Sequence, residues 1–147
     1  DEGYLEFRIS QVKYLGDKLT EAGVPIMKPV GGHAVYLNAK KIAGHIPQEQ
    51  LPGQALTVQL YREGGIRAVE IGSLMFASKD PKTGEMKYPE LELVRLAIPR
   101  RVYTMSHIDL VADTIIKVME EKDKLKGFKI IKEPPFLRHF TAVLQEI

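Results

Sequence analysis

The short links between strand-like segments constrain the fold of this chain more than any other feature. Phe128–Ile131 and Leu137–Leu144 both have extended patterning, and only a few residues separate them. A parallel connection between strands needs a crossover of a dozen or more residues, which this link cannot provide. The other strand-like segments, Gly31–Asn38, Ile66–Gly72 and Leu93–Ile98, do not alternate regularly with helices. We therefore predict an α+β fold, with a mainly antiparallel sheet and helices packed on one face.

Apolar periodicity predicts three longer helices, and nearby residues indicate where they start or stop. The first covers about Glu2–Glu21, and the second begins at Pro52 and continues to the glycine pair Gly64–Gly65. The third follows Ser106, which together with Asp109 resembles a capping box. A shorter helical turn is expected just after the Gly31–Asn38 strand, and a surface loop just before the Leu93–Ile98 strand.

Length and composition set the class of protein. A chain of 147 residues fits one domain, residues 1–147, with a real core. The net charge is only +2 and its basic residues are interleaved with acidic ones, so we expect no nucleic-acid partner. The absence of cysteine excludes disulfides and is compatible with the cytoplasm, and no apolar run suggests a membrane span. Because the helical pattern begins almost at the first residue, we expect a piece of a longer protein.

Arg95 lies in the middle of an apolar strand pattern, where a charge is costly unless an anion meets it. Its planar fork can bind a carboxylate through two parallel hydrogen bonds. One interpretation is an internal ion pair with Glu70, Glu90 or Glu92. The other is a binding point for the carboxylate of a substrate. The residues alone leave both open.

The histidines do not form a recognisable site. His33, His45, His107 and His139 lack the spacing of metal ligands. Strand alternation would place His139 on the opposite face from its two neighbours in sequence. On its own, His139 would be an ordinary surface residue.

Several motifs occur together in an order that resembles a known family. They are Gly31–Ala34, His45–Pro47, Gln54–Leu56, Gly65–Gly72, Asp80–Gly84, Val94–Arg100, Tyr103–Thr104, His107 and Leu137–Ala142. In this order they resemble the C-terminal third of the β-eliminating lyases, and in particular the tryptophanase branch of that family. The resemblance covers nearly the whole chain.

The resemblance implies that this chain is the small C-terminal domain of a fold-type-I pyridoxal-phosphate enzyme. The implied reaction cleaves L-tryptophan with water to indole, pyruvate and ammonia. It implies a cytoplasmic homotetramer activated by a monovalent cation such as potassium. The expected partners are the amino-acid substrate and the large cofactor-binding domain, which is absent from this chain.

The resemblance also implies roles for four residues. Arg95 matches the arginine that holds the substrate α-carboxylate, and Val69 and Ile71 match positions near the substrate side chain. His139 matches a histidine near the indole ring, to which we assign a catalytic role. Tyrosine phenol-lyases carry arginine at the position of Ile71 and phenylalanine at that of His139. Both residues here therefore indicate tryptophan.

The parts of the family that hold the cofactor and the cation precede the matched region. We therefore expect no cofactor-binding or metal-binding residue in this chain, and no activity from it alone. Lys40 and Lys41 superficially resemble the Schiff-base motif, but the expected flanking residues are missing. Three alternatives remain: another β-eliminating lyase such as a tyrosine phenol-lyase, a non-catalytic amino-acid-binding module, or a structural oligomerisation domain.

Overall fold

The computed structural model describes residues 2–147 and has a mixed α+β architecture. The α-helices are α1 (Glu2–Glu21), α2 (Ala39–Ile42), α3 (Pro52–Gly64), α4 (Ser73–Phe76), α5 (Met105–Glu120) and α6 (Arg138–Thr141). The strands are β1 (Ala34–Asn38), β2 (Val69–Ile71), β3 (Ser78–Lys79), β4 (Met86–Lys87), β5 (Leu93–Ala97), β6 (Phe128–Lys132) and β7 (Val143–Glu146). Within residues 2–147, no helix has both the length and the apolar character needed to cross a membrane.

A three-stranded sheet with the order β1–β5–β2 forms the centre of the fold, and both of its pairings are antiparallel. Val94 and Leu96, at alternate positions of β5, belong to the apolar core together with residues of α1, α3 and α5. Helix α5 packs against both α1 and α3, α1 also contacts β1, and α3 also contacts β5. The predicted antiparallel sheet with helices on one face is confirmed.

Local sequence signals correctly located the first two long helices. The first has the predicted bounds, Glu2–Glu21. Pro52 occupies the first turn of α3, where its missing N–H does no harm. Gly65 ends that helix with φ +66°, a conformation that glycine adopts without strain, and its N–H donates to the carbonyls of Leu60 and Tyr61.

Other elements are shorter or more elaborate than predicted. The strand expected over Ile66–Gly72 is limited to Val69–Ile71. The surface loop before β5 includes the small, exposed β3–β4 hairpin. Strands β6 and β7 form a separate antiparallel pair, as expected from their short link.

The predicted capping box at Ser106 is wrong. Helix α5 begins at Met105, so Thr104 is the capping residue and Ser106 lies inside the first turn. The N–H of Thr104 donates to Nδ1 of His107 at 3.1 Å. An imidazole nitrogen thus takes the place of the carboxylate expected from Asp109, which instead accepts hydrogen bonds from Tyr14 and Lys18 of α1.

The prediction of one extended segment over Leu137–Leu144 is also wrong in its first half. Leu137 adopts φ +53°, and Arg138–Thr141 then form the helical turn α6. The N–H of Ala142 donates to the carbonyl of Arg138 at 2.8 Å, which closes this turn. The expected alternation of side chains around His139 is therefore absent, and extended structure resumes only at Val143.

Candidate substrate site

Three of the residues singled out in the sequence lie on one face of the central sheet. Arg95 is directly opposite Val69 on β2 and Tyr36 on β1. Ile71 is opposite Leu93, so it shares a face with Val69 because side chains alternate along a strand. The other face of β5 belongs to the core, whereas Val69 is exposed and Ile71 is partly exposed. The sheet therefore groups these side chains where a ligand can reach them.

The side chain of Arg95 has no partner in the described part of the chain. Its Nε is buried without a hydrogen bond, and none of the salt bridges within residues 2–147 includes Arg95. The interpretation as an internal ion pair with Glu70, Glu90 or Glu92 is therefore wrong. Glu70 is opposite Val94, so it lies on the other face of the sheet. A buried, unsatisfied polar group costs about 1–3 kcal/mol, and an anion that meets the guanidinium would remove this cost.

Two buried carboxyl groups support the turn that follows β2. Glu70 accepts hydrogen bonds from the N–H groups of Leu74 and Met75, at 3.0 and 3.2 Å. Glu92 accepts from the N–H of Ser73 at 3.1 Å and also from its hydroxyl group. Together these contacts satisfy the first three N–H groups of α4, which no earlier helical turn can satisfy.

Gly72 allows the two carboxyl groups to converge. A Cβ atom at this position would lie 2.1 Å from Oε2 of Glu92 and 2.7 Å from Oε1 of Glu70. Burial raises the pKa of Glu70 to about 7; the N–H of Leu74 opposes this rise, and the nearby Glu92 adds to it. The sequence pattern suggested these glutamates only as partners of Arg95 and did not predict their role beneath α4. The available signal was a glutamate in the middle of a short strand pattern.

His139 lies apart from the three sheet residues. It is partly exposed at the edge of a surface cavity of about 290 Å³, which is lined by Met75, Ala77 and residues 133–139. Its ring centroid is 4.2 Å from that of Phe140. The lining of this cavity does not include Arg95, Val69 or Ile71. The connection between the two groups is α4, which follows β2 directly and packs against α6.

The lysines of this chain do not fit a covalent pyridoxal-phosphate site. Every lysine is exposed or partly exposed, and Lys40 donates to the carbonyl of Glu90 at 3.3 Å. A Schiff-base lysine is typically activated by burial or by a neighbouring cation, which lowers its pKa. Within residues 2–147, no group of three or more His, Asp or Glu side chains is arranged to hold a metal ion.

The known proteins that are similar to this chain include tyrosine phenol-lyases and tryptophanases. Tyrosine phenol-lyase of Pasteurella multocida is 57% identical over 142 residues, which are 97% of this chain and 31% of that protein. Tryptophanase of Salinibacter ruber is 54% identical over 145 residues, which are 99% of this chain and 30% of that protein. Tryptophanase of Hyphomonas neptunium is 48% identical over 147 residues, 100% of this chain and 32% of that protein. Overall identity therefore does not separate the two substrate classes.

The chain spans about a third of the length of these curated relatives. A family model described as beta-eliminating lyase matches residues 1–114, most of the chain. The tyrosine phenol-lyases among the relatives are lyases by name, in agreement with that match. This chain belongs to the β-eliminating lyase family.

Proposed function

We propose that this chain is the substrate-binding C-terminal part of a pyridoxal-phosphate-dependent tryptophan indole-lyase. Such an enzyme converts L-tryptophan and water to indole, pyruvate and ammonia. The observation that carries the proposal is the unpartnered guanidinium of Arg95 on the open face of the sheet, opposite Val69. Family membership supports the class of reaction, and the identities of Ile71 and His139 support tryptophan as the substrate.

Arg95 binds the α-carboxylate of the amino acid in this proposal. Two parallel hydrogen bonds fix both the position and the rotation of a carboxylate, which a single point charge cannot do. The Cα–H bond is thereby held in the orientation that proton removal requires. Because the sheet face is open in this chain, closure of a second domain over it would exclude water from the bound substrate.

Val69, Ile71 and His139 form the wall around the aromatic side chain in this proposal. Indole has a broad apolar surface and one N–H donor. Val69 and Ile71 provide apolar contact, and a ring nitrogen of His139 accepts the hydrogen bond from the indole N–H. Binding the leaving indole in this way is the catalytic role that we assign to His139.

The cofactor domain is the second part of the proposed enzyme. Pyridoxal phosphate supplies an electron sink for the carbanion at Cα, and in this proposal it is held by the two thirds of the protein that this chain lacks. The same part binds the activating monovalent cation. Phe136, Leu137 and Phe140 are 82%, 66% and 74% exposed, and such an apolar surface supports contact with another domain or subunit. We place the enzyme in the cytoplasm as a homotetramer.

Tyrosine phenol-lyase is the second candidate function. The 57% identity to the tyrosine phenol-lyase of Pasteurella multocida favours it. A departing phenol needs help at its oxygen, for which a nearby arginine is suited. This chain has Ile71 at the position where the resemblance places that arginine, so we rank tryptophan first.

We expect the full-length enzyme to prefer tryptophan to tyrosine by at least about a hundredfold in kcat/KM. The reason is that Ile71 offers apolar surface to indole but no charge to a phenol oxygen. The measurement is a parallel assay of indole and phenol release. Equal or faster turnover of tyrosine would leave the family assignment intact and replace the tryptophan assignment with the second candidate.

Substitutions of Ile71 and His139 test whether these residues cause the preference for tryptophan. Ile71→Arg should reduce turnover of tryptophan without producing an efficient phenol-lyase, because the rest of the pocket is unchanged. His139→Phe should reduce turnover of tryptophan more than turnover of an S-alkyl cysteine, whose small leaving group does not need the imidazole. Equal losses for both substrates would argue against contact between His139 and the indole ring.

The 147-residue chain alone should neither retain pyridoxal phosphate after dialysis nor release indole. All of its lysines are at least partly exposed, so any reaction with the free cofactor should be slow and unselective. Absorbance spectra after dialysis and an indole assay check this expectation. A stoichiometric complex of this chain with pyridoxal phosphate that turns over tryptophan would refute the proposal that a separate domain binds the cofactor.

A further inference from the structure

Arg138 connects the turn that bears His139 to the turn that follows β2. Its Nε donates to the carbonyl of Leu74 at 2.8 Å. Its Nη2 donates to the carbonyls of Ser73 and Ala77, both at 2.8 Å. Its remaining contact is an ion pair between Nη1 and Glu133 at 3.3 Å. One guanidinium thus binds three carbonyl groups, two within α4 and one directly after it. A lysine could not form these three hydrogen bonds with the same geometry.

This polar contact has little competition from apolar packing. The residues around it, Phe136, Leu137 and Phe140, are largely exposed and therefore do little to hold α6 in place. Leu137 also adopts φ +53°, which a residue with a side chain avoids unless its surroundings require it. We conclude that the hydrogen bonds of Arg138 are the main attachment of α6 to α4.

The opposite end of α4 is fixed as well. The buried Glu70 and Glu92 bind its N–H groups, while Arg138 binds its carbonyls. Ile71 lies two residues before α4, and His139 is the residue after Arg138. A fixed α4 therefore determines where the His139 turn stands relative to Ile71.

We propose that Arg138 is a positioning residue that places His139 against the leaving group of the substrate. It acts through His139 and sets specificity for a large aromatic leaving group. This inference rests on the proposed function, because it assumes that His139 contacts the departing ring.

The test uses the full-length enzyme with Arg138→Met, Arg138→Lys and the matched control Glu133→Gln. Arg138→Met should lower kcat/KM for tryptophan by about 10- to 100-fold, since a misplaced contact group costs that much. Turnover of S-methylcysteine should stay within about threefold of the wild type. Arg138→Lys should recover little of the loss. Glu133→Gln removes only the exposed ion pair and should leave both substrates unaffected.

Two further measurements separate positioning from general damage. In a His139→Phe background, Arg138→Met should cause no additional loss on tryptophan, because the residue that it positions is already gone. Amide hydrogen exchange over residues 137–142 should be faster in Arg138→Met than in the wild type or Glu133→Gln, with or without substrate.

Each contrary result has its own meaning. Equal losses on tryptophan and S-methylcysteine, additive losses with His139→Phe, or unchanged exchange would overturn the role of Arg138. If His139→Phe alone left tryptophan turnover unchanged, the proposed contact between His139 and the indole ring would be refuted. The proposal that Arg138 sets specificity through His139 would then be refuted as well. Faster exchange in Arg138→Met would then establish the attachment of α6 only.

Discussion

Replacing Arg95 by alanine in the full-length enzyme should lower kcat/KM. The loss should correspond to about 3–5 kcal/mol of transition-state stabilisation, the scale for removing one partner of a buried charge pair. The guanidinium is the only group in our proposal that binds the α-carboxylate, and the rest of the chain does not neutralise it. Arg95→Lys should restore little activity, because an ammonium group lacks the two-point fork. Steady-state kinetics with tryptophan provide the measurement.

A stability measurement distinguishes a substrate clamp from a structural arginine. Since Arg95 makes no hydrogen bond or salt bridge in residues 2–147, alanine leaves no partner unpaired and removes a buried, unsatisfied Nε, so the free energy of unfolding should not decrease. Arg62→Ala is a suitable control, because it removes the exposed pair with Glu146, a type of contact worth about 0–1 kcal/mol. Activity of Arg95→Ala within about threefold of the wild type, under 1 kcal/mol, would refute the clamp.

The parts of the fold predicted correctly are those specified by local chemistry. Helix α1 is recognisable from its apolar spacing, and α3 from Pro52 at its start and Gly65 at its end. These signals act within a few residues of the element that they control. The turn α6 has no such signal, because the carbonyls that bind Arg138 lie more than 60 residues earlier in the chain. Local alternation therefore predicted a strand where a tertiary contact imposes a turn.

The state of Arg95 depends on strand register, which the sequence does not reveal. Val69 is opposite Arg95, and Glu70 is opposite Val94. A shift of one residue in this pairing would bring Glu70 beside Arg95, and the internal ion pair would then be the natural interpretation. Sequence patterns could nominate Arg95 as unusual, but only the pairing of β2 with β5 shows that its charge remains available.

The free energy of unfolding of the 147-residue chain should fall by about 3 kcal/mol between pH 4.5 and pH 7 because of Glu70. Its pKa is about 7 in the folded chain, against an ordinary value of 4.5. Between these values the folded state keeps a proton that the unfolded state has released, so stability decreases as the pH rises. The contribution is complete below about pH 4.5, declines toward pH 7 and is lost above it. Burial is the first cause, since the charged carboxylate is desolvated beneath α4.

Urea unfolding at a series of pH values measures this slope, and three substitutions assign it. Glu70→Gln should remove the slope, although some stability is lost at every pH because one of the two oxygens that accept from Leu74 and Met75 becomes an NH2 group, which cannot accept. Glu92→Gln should reduce the slope without abolishing it, because burial of Glu70 remains after the neighbouring charge is gone. Glu90→Gln, on the surface, should leave it unchanged. Identical slopes for the wild type and Glu70→Gln would mean that Glu70 is ionised in the folded chain at ordinary pH. The N–H groups of Leu74 and Met75 would then be bound by an ionised Glu70 rather than by a protonated one.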